Sequence, residues 1–256
     1  MKLENKVALI TGGGSGIGKA IALEYAQEGA DIAISSRNID NLNAACKEIE
    51  AKGRQALAVA ADVCKKDQVE AMVQKVIEKF GKIDILVNNS GTSRMVPILD
   101  FEEKDWDTVI DTNVKGVFLC TQAVAKHMVQ RRYGKIINIS STSSLGAIVK
   151  GQSAYCSSKF AVNGFTKACA KEFGPYNINV NAIAPGRILT SLVYLTRSPE
   201  EVEEFTRVGK EASVLGRMGE VEDMAHLALF LASDDSSFIT AEIVASNGGR
   251  TNLMGR

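Results

Sequence analysis

Seven short runs rich in apolar and β-branched residues, at 7–11, 31–36, 56–60, 83–88, 135–140, 178–183 and 243–245, alternate with segments of helical periodicity. This alternation constrains the fold more than any other feature. Ile21, Ala22, Tyr25 and Ala26 share one helical face. So do Val69, Met72, Val73, Val76, Ile77 and Phe80, and that segment closes on Gly81 as a C-terminal stop. Strands that are apolar along their whole length cannot turn one face to water. They imply a parallel sheet whose crossovers lay helices over both faces. No repeat or low-complexity linker interrupts the pattern across the 256 residues. The sequence therefore predicts one α/β domain, residues 1–256, around a doubly wound parallel sheet of about seven strands.

One stretch breaks the rhythm. Residues 187–217 carry no strand pattern, and Ser198-Pro199-Glu200-Glu201 reads as a helix start, with proline early and acids in the first turn. The stretch reads as an inserted helical pair beyond the carboxyl end of a late strand, where open α/β sheets bind ligands. It is expected to act as a substrate lid.

Charge excludes some partners. The 30 basic and 30 acidic residues balance, with no run of one sign, so nucleic acid or an anionic membrane is not expected as the main partner. No run of apolar residues is long enough to span a bilayer, and the first residues pass straight into a strand pattern, leaving no room for a signal peptide. The five cysteines (Cys46, Cys64, Cys120, Cys156, Cys169) are odd in number and scattered, unlike a zinc site or disulfide framework. No metal is expected, and reduced thiols point to the cytoplasm.

The first strand runs into Thr11-Gly12-Gly13-Gly14-Ser15-Gly16-Ile17-Gly18 and then a helix. Glycines let the backbone turn tightly against a pyrophosphate, which the free N–H groups and dipole of a helix N-terminus favour. The spacing is T-G-x-x-x-G-x-G. Its placement between strand and helix marks Gly12, Gly14, Ser15, Gly16, Ile17 and Gly18 as cofactor-binding candidates. After the second strand stand Ser35-Ser36-Arg37-Asn38. An acid there would accept hydrogen bonds from both ribose hydroxyls of NAD(H). None is present, and Arg37 with Ser36 suits a 2′-phosphate. NADP(H) is the preferred cofactor, with NAD(H) as the alternative if Arg37 is only a solvated charge. Asp62-Val63, after the third strand, is placed to hold an adenine, though an acid there could equally cap the next helix.

Tyr155 and Lys159 lie at i and i+4, on one face of a helical stretch. A free tyrosine titrates at about 10, and a fixed cation nearby favours the tyrosinate, which makes Tyr155 a candidate general acid/base. Ser140-Ser141 ends the fifth strand, where a hydroxyl can hold a reacting oxygen. Asn113 is a fourth polar candidate, in a helix interior where asparagine is mildly disfavoured.

Together these motifs resemble the short-chain dehydrogenase/reductase family, in its roughly 250-residue non-extended branch. The resemblance rests on Thr11 through Gly18, Asn88-Asn89-Ser90-Gly91, Asn113, Ser141, Tyr155 with Lys159, and Pro185-Gly186-Arg187-Ile188-Leu189-Thr190. Gly216-Arg217-Met218-Gly219 and Phe230-Leu231-Ala232-Ser233-Asp234 add to it. It implies a Rossmann-type fold, a catalytic set of Ser141, Tyr155 and Lys159, and a proton relay supported by Asn113. It also implies that Lys159 and Tyr155 meet the nicotinamide ribose, that Asn89, Ser90, Gly91, Pro185, Gly186, Ile188 and Thr190 contact the cofactor, and that the protein is a homotetramer. This sequence departs from the family pattern at Ser90, usually Ala, and at Thr240-Ala241, usually Thr-Gly. Ser246-Asn247-Gly248-Gly249 stands where Val-Asp-Gly-Gly is usual. The Ser141-to-Tyr155 interval is one residue longer than the commonest spacing, so counting back from Tyr155 selects Thr142 as the alternative hydroxyl. The strand end favours Ser141.

The leading expectation is hydride transfer between NADP(H) and a secondary alcohol or ketone, as a carbonyl reductase or alcohol dehydrogenase acting on a small molecule. The alternatives are an NAD(H)-linked polyol, sugar or hydroxysteroid-type dehydrogenase, and a non-catalytic dinucleotide sensor. The substrate walls are expected at 93–96, 144–153 and 187–214. Arg94, Met95, Ser143, Lys150, Arg187, Leu192 and Tyr194 are the candidate contacts. Fold and catalytic set alone leave a 3-oxoacyl thioester, a polyol or sugar, and a steroid or cyclic ketone open.

Overall fold

The computed structural model describes residues 1–146, 149–190, 193–194 and 198–249. Strands β1 (Val7–Thr11), β2 (Asp31–Ser36) and β3 (Ala56–Ala60) are separated by α1 (Gly16–Gln27) and α2 (Ile39–Glu50). Next come α3 (Lys66–Phe80), β4 (Ile85–Asn88), α4 (Glu103–Ile110), α5 (Gly116–Arg131), β5 (Gly134–Ile139) and α6 (Ser153–Phe173). The chain continues through β6 (Ile178–Pro185), α7 (Pro199–Glu211), α8 (Val221–Ala232) and β7 (Ile243–Ser246). The seven strands form one sheet in the order β3-β2-β1-β4-β5-β6-β7, every pairing parallel. The winding reverses between β1 and β4. That is the switch point at which such sheets leave a crevice for a ligand.

Strand alternation divides the core into two layers. Ala8 and Ile10 of β1 join Ile21 and Tyr25 of α1, Leu42 of α2 and Leu231 of α8 on one face. Val7 and Leu9 join Val73 of α3, Val124 of α5 and Ala170 of α6 on the other. Tyr25 is wholly buried yet keeps its hydroxyl satisfied by donating to the Ala228 carbonyl at 2.9 Å, which fastens α1 to α8.

The strand bounds differ from the sequence expectation at β4, β5, β6 and β7. β5 ends at Ile139, so Ser140 and Ser141 follow the strand instead of ending it. The largest shifts are at β4 and β6. β4 begins at Ile85, although the Asp84 backbone just before it donates to Val7 O at 2.9 Å and accepts from Lys135 N at 3.0 Å; the Asp84 side chain is a buried acceptor. Its carboxylate receives the Val7 N–H at 2.9 Å and pairs with Arg131 at 2.6 Å and Lys82 at 2.9 Å. Burial pushes the Asp84 pKa up, but these donors outweigh it and hold the group below the usual carboxylate range. β6 runs on to Pro185, which pairs with Ser246 of the edge strand β7.

Residues 187–217 contain α7, as the helix-start signal predicts. Ser198 Oγ accepts from Glu201 N at 3.3 Å and the Glu201 carboxylate accepts from Ser198 N at 2.9 Å, a reciprocal cap. Ile188 forms a single bridge to Gly219. Leu192 lies outside the described residues.

The Ala241 departure has a conformational consequence. Ala241 has φ 65°, in the left-handed region that a Cβ disfavours, and it is held there by its N–H donating to Val180 O at 2.8 Å. Left-handed backbone costs an L-residue about 1–2 kcal/mol, partly offset by the lower unfolded-state entropy of alanine. Ala241→Gly is expected to raise stability by about 1 kcal/mol in urea unfolding.

Candidate active site

The glycine turn is shaped from within and left open outward. Gly12 (φ 66°) and Gly16 (φ 52°) adopt left-handed backbone that glycine allows at no steric cost. A Cβ on Gly18 would overlap the Gly12 carbonyl and the Asn89 amide, and one on Gly13 would overlap Ile34 of β2. Ser15 precedes α1 without capping it by its side chain, and the first turn of α1 holds no acid. The N–H groups there are thus left to an anionic ligand. Thr190 faces this turn: a Cβ on Gly16 would stand 3.8 Å from its side chain.

Thr11 and Asn89 lock β1 to β4 across the switch point. Thr11 Oγ1 accepts from the N–H groups of Asn89 (3.0 Å) and Ser90 (3.1 Å). Asn89 Nδ2 donates to the carbonyls of Thr11 (3.0 Å) and Gly12 (3.2 Å). Both N–H groups of the Asn89 side chain therefore go to the glycine turn. At the end of β2, Ser36 Oγ accepts from Asn38 N at 3.3 Å, and Asn38 Oδ1 caps α2 by accepting from Asn41 N at 3.1 Å. Arg37 between them is exposed. Asp62 Oδ1 accepts from Cys64 N at 3.0 Å, while Val63 is buried against Gly116.

Asn113 is fully buried in a π-helical turn, Asp111–Lys115, that joins α4 to α5. Such one-residue expansions re-aim a side chain and recur at functional sites. Its Oδ1 accepts from Thr92 N at 2.8 Å, and its Nδ2 donates to Thr92 O at 2.9 Å and to Ser158 Oγ at 3.0 Å. The loop after β4 is thereby fixed beside α6. A Cβ on Gly91 would lie 3.3 Å from Asn113 Oδ1 and 3.7 Å from Lys159 Nζ, so Gly91, Asn113 and Lys159 converge.

Tyr155 and Lys159 occupy α6, and Lys159 Nζ sits 5.7 Å from the centre of the Tyr155 ring. Lys159 is 5 % exposed and donates to the Ile139 carbonyl at 2.8 Å. Burial pushes its pKa down to about 8. Burial also raises the Tyr155 pKa, against a hydrogen bond with the Ser141 side chain that lowers it. The sequence reading looked to Lys159 to favour the tyrosinate; in this geometry the lowering contact comes from Ser141, and the net shift is upward. Ser141 Oγ also accepts from Ser143 N at 3.1 Å. Thr142 opens a short helical turn, Thr142–Leu145, and is 1 % exposed.

The expected substrate contacts are spread around this centre. Ser143 Oγ donates to Gln152 Oε1 at 3.3 Å. Val96 N donates to Gly151 O at 3.0 Å, joining two of the expected walls. Met95 and Tyr194 are largely exposed, as is Lys150. Arg94 is ion-paired with Asp105 at 3.3 Å, and Arg187 stacks on Phe205 of α7, 5.1 Å from the ring centre. Pro185 and Gly186 border β7, where Gly186 N donates to Ser246 O at 2.9 Å; Ile188 is buried.

Sequence reasoning passed over Gly13, Ser158 and Asn163. Gly13 was visible as a glycine inside the motif; the other two read as polar positions on a helix.

A glycine turn at the switch point of a parallel sheet, with a serine just after β5 and a tyrosine and a lysine on α6, is the architecture of a dinucleotide-dependent oxidoreductase. A sequence model described as short chain dehydrogenase matches residues 6–201. The chain belongs to the short chain dehydrogenase family. It is 42% identical over 255 residues to the (2S)-[(R)-hydroxy(phenyl)methyl]succinyl-CoA dehydrogenase subunit BbsD of Thauera aromatica, covering 100% of both chains. The 3-oxoacyl-[acyl-carrier-protein] reductase FabG of Thermotoga maritima is 42% identical over 251 residues, covering 97% of this chain and 99% of that one. A crystal structure of a short-chain type dehydrogenase/reductase from Mycobacterium marinum superposes with a TM-score of 0.91 at 40% identity, covering 98% of this chain and 97% of the other. Among the described residues, no helix is long and apolar enough to cross a membrane, and no group of three or more His, Cys, Asp or Glu could hold a metal ion.

Proposed function

We propose that the protein reduces a ketone, or oxidises the matching secondary alcohol, with NADP(H), and that Tyr155 moves the proton. The observation carrying this reading is Tyr155 on α6 with the buried Lys159 ammonium 5.7 Å from its ring centre and Ser141 opening the adjoining turn Thr142–Leu145. The uncapped N-terminus of α1 behind Gly12, Gly14, Ser15, Gly16, Ile17 and Gly18 fits a pyrophosphate, with Thr190, Ile188, Gly186 and Pro185 on the facing side. Ser36 and Arg37 would take a 2′-phosphate, Asp62 and Val63 an adenine, and Asn89, Ser90, Gly91, Tyr155 and Lys159 the nicotinamide ribose end.

The bound nicotinamide supplies or accepts the hydride. The rest falls to the chain. Ser141 holds the substrate oxygen by its hydroxyl as negative charge develops there, and Tyr155 delivers its phenolic proton to that oxygen. Lys159 and Asn113, on the far side of Tyr155, support reprotonation of the phenolate. A tyrosine with a raised pKa is protonated near neutrality, so reduction is served there. Its rate falls as pH rises through that pKa, whereas oxidation needs the phenolate and speeds up over the same range.

We assign the substrate to the acyl thioesters, as a 3-oxoacyl or 3-hydroxyacyl chain. The support is that two relatives matched along their whole length act, by name, on a succinyl-CoA and on a 3-oxoacyl-carrier thioester. Residues 187–217 would close over the chain as a lid, with Met95 and Tyr194 as its apolar rim. Phe118 meets Phe165 edge-on at 6.5 Å on the outer face of α5 and α6, a surface suited to a second copy in a homotetramer. The five free thiols suit the reducing cytoplasm.

Cofactor choice is tested at Arg37. Charge-assisted hydrogen bonds are worth about 1.5–3 kcal/mol, so Arg37→Ala is expected to raise KM for NADPH by about 10–100-fold and leave KM for NADH nearly unchanged. Equal effects on both nicotinamides in steady-state assays would refute the assignment.

A further inference from the structure

Behind the active site, one side chain ties the serine strand to the tyrosine helix. Asn163 lies on α6 one turn beyond Lys159 and two beyond Tyr155, so the three share a face. The Ser140 hydroxyl donates to Asn163 Oδ1 at 2.7 Å. Asn163 Nδ2 donates to Ser144 Oγ at 2.9 Å, and the Ser144 hydroxyl in turn donates to the backbone carbonyl of Ser141 at 2.5 Å. The Ser140 hydroxyl also lies 3.3 Å from the Lys159 carbonyl and 3.0 Å from Ser144 Oγ, so Ser140, Ser144 and Asn163 form one closed polar cluster. Ser140 is 2 % exposed and Ser144 3 %, so water does not compete for these groups. The residue before Ser141 and the carbonyl of Ser141 itself are thereby held to one asparagine.

We infer that Asn163 is the positioning residue for Ser141, acting directly on Ser140 and through Ser144 on the Ser141 backbone. It touches neither substrate nor cofactor. Lys159, held to Ile139 O on β5, fixes the helix to the strand one turn earlier, while Asn163 Nδ2 reaches the turn Thr142–Leu145 itself, at Ser144 Oγ (2.9 Å) and Ser144 O (3.4 Å). A loosened Ser141 would lose its hold on the substrate oxygen and its hydrogen bond to Tyr155 together. The site would then become slower, and its tyrosine harder to ionise.

The inference rests on Ser141 being the hydroxyl partner of Tyr155, and the test separates the two. Ser141→Ala, Asn163→Leu, Ser144→Ala and the double variant Ser144→Ala/Asn163→Leu are assayed with NADPH and acetoacetyl-CoA, and in the oxidation direction with NADP+ and 3-hydroxybutyryl-CoA across pH. Asn163→Leu is expected to lower kcat about tenfold, change KM less than threefold, leave NADPH binding by fluorescence titration unchanged, and move the rising limb of the oxidation profile to higher pH. Ser144→Ala is expected to reproduce this, and the double variant to fall no further than the worse single, as members of one network do. Should Asn163→Leu not fold, Ser144→Ala decides by its kcat and pH limb. A kcat and pH limb that stay with the parent in a folded Asn163→Leu, or in Ser144→Ala, while Ser141→Ala is inactive, would overturn the positioning role. Full activity in Ser141→Ala would overturn the reading beneath it.

Discussion

Tyr155→Phe is expected to lower kcat for ketone reduction by about 10²–10⁴-fold, the usual worth of a positioned general acid, while the Kd for NADPH changes less than threefold. The substitution removes one oxygen. Phenylalanine keeps the ring that packs beneath Lys159, 5.7 Å from Nζ, so the cation is not left without its neighbour. The transferable proton goes with the phenolic oxygen, while the packing of the ring stays. Stopped-flow binding and steady-state turnover on the same preparation separate the two effects. A variant that turns over at the parent rate would show that the proton comes from elsewhere.

Gly18→Ala is expected to carry the largest effect in the cofactor half of the site. The new methyl would run into the Gly12 carbonyl oxygen and the Asn89 amide, the two groups that shape the glycine turn. The first is backbone, and the second, though the end of a side chain, is pinned by hydrogen bonds to the Thr11 and Gly12 carbonyls. The backbone of α1 or of the turn must move, and overpacking of this kind costs about 1–3 kcal/mol. Dinucleotide affinity is expected to fall more than about tenfold, because the displaced N–H groups are those that face the ligand. Gly164→Ala on α6 supplies the contrast. A Cβ there meets nothing within 4 Å, so helix propensity alone acts and stability should rise by up to about 1 kcal/mol without change in binding. Urea unfolding and NADPH titration on both variants check the pair.

The sheet was legible because its strands are apolar on both faces. Residues 7–11, 31–36 and 56–60 each stand between helical segments, and β1, β2 and β3 occupy those ranges. Ile83 and Asp84 look like strand from their neighbours; β4 starts after them, with the Asp84 carboxylate held by Arg131 on α5. Pro185 reads as a stop, yet it is the last residue of β6, beyond the Ile139–Ile183 end of the β5 pairing, and β7 pairs with it on the other side.

The site divides in the same way. Tyr155 and Lys159 could be read from their i, i+4 spacing, which sequence displays directly. The π-helical turn around Asn113 could not. It depends on Thr92, 21 residues away, supplying both a donor and an acceptor to one amide. Asn163 was hidden for a similar reason. On a helix it is an unremarked polar residue, and only the fold brings Ser140 and Ser144 to it. Arg187 shows the converse: a cation that sequence sets in the substrate wall lies stacked on Phe205 of α7.

The account stands or falls on hydride transfer to an acyl thioester. The most direct measurement follows NADPH absorbance as the purified protein meets acetoacetyl-CoA near neutral pH, with the thioester product quantified by mass. One 3-hydroxybutyryl-CoA formed per NADPH consumed, at a rate that falls as pH rises and is lost in Tyr155→Phe, is the predicted result. Tight NADPH binding with no consumption of NADPH or NADH, on this thioester or on simple ketones, would contradict it and leave a dinucleotide sensor in its place.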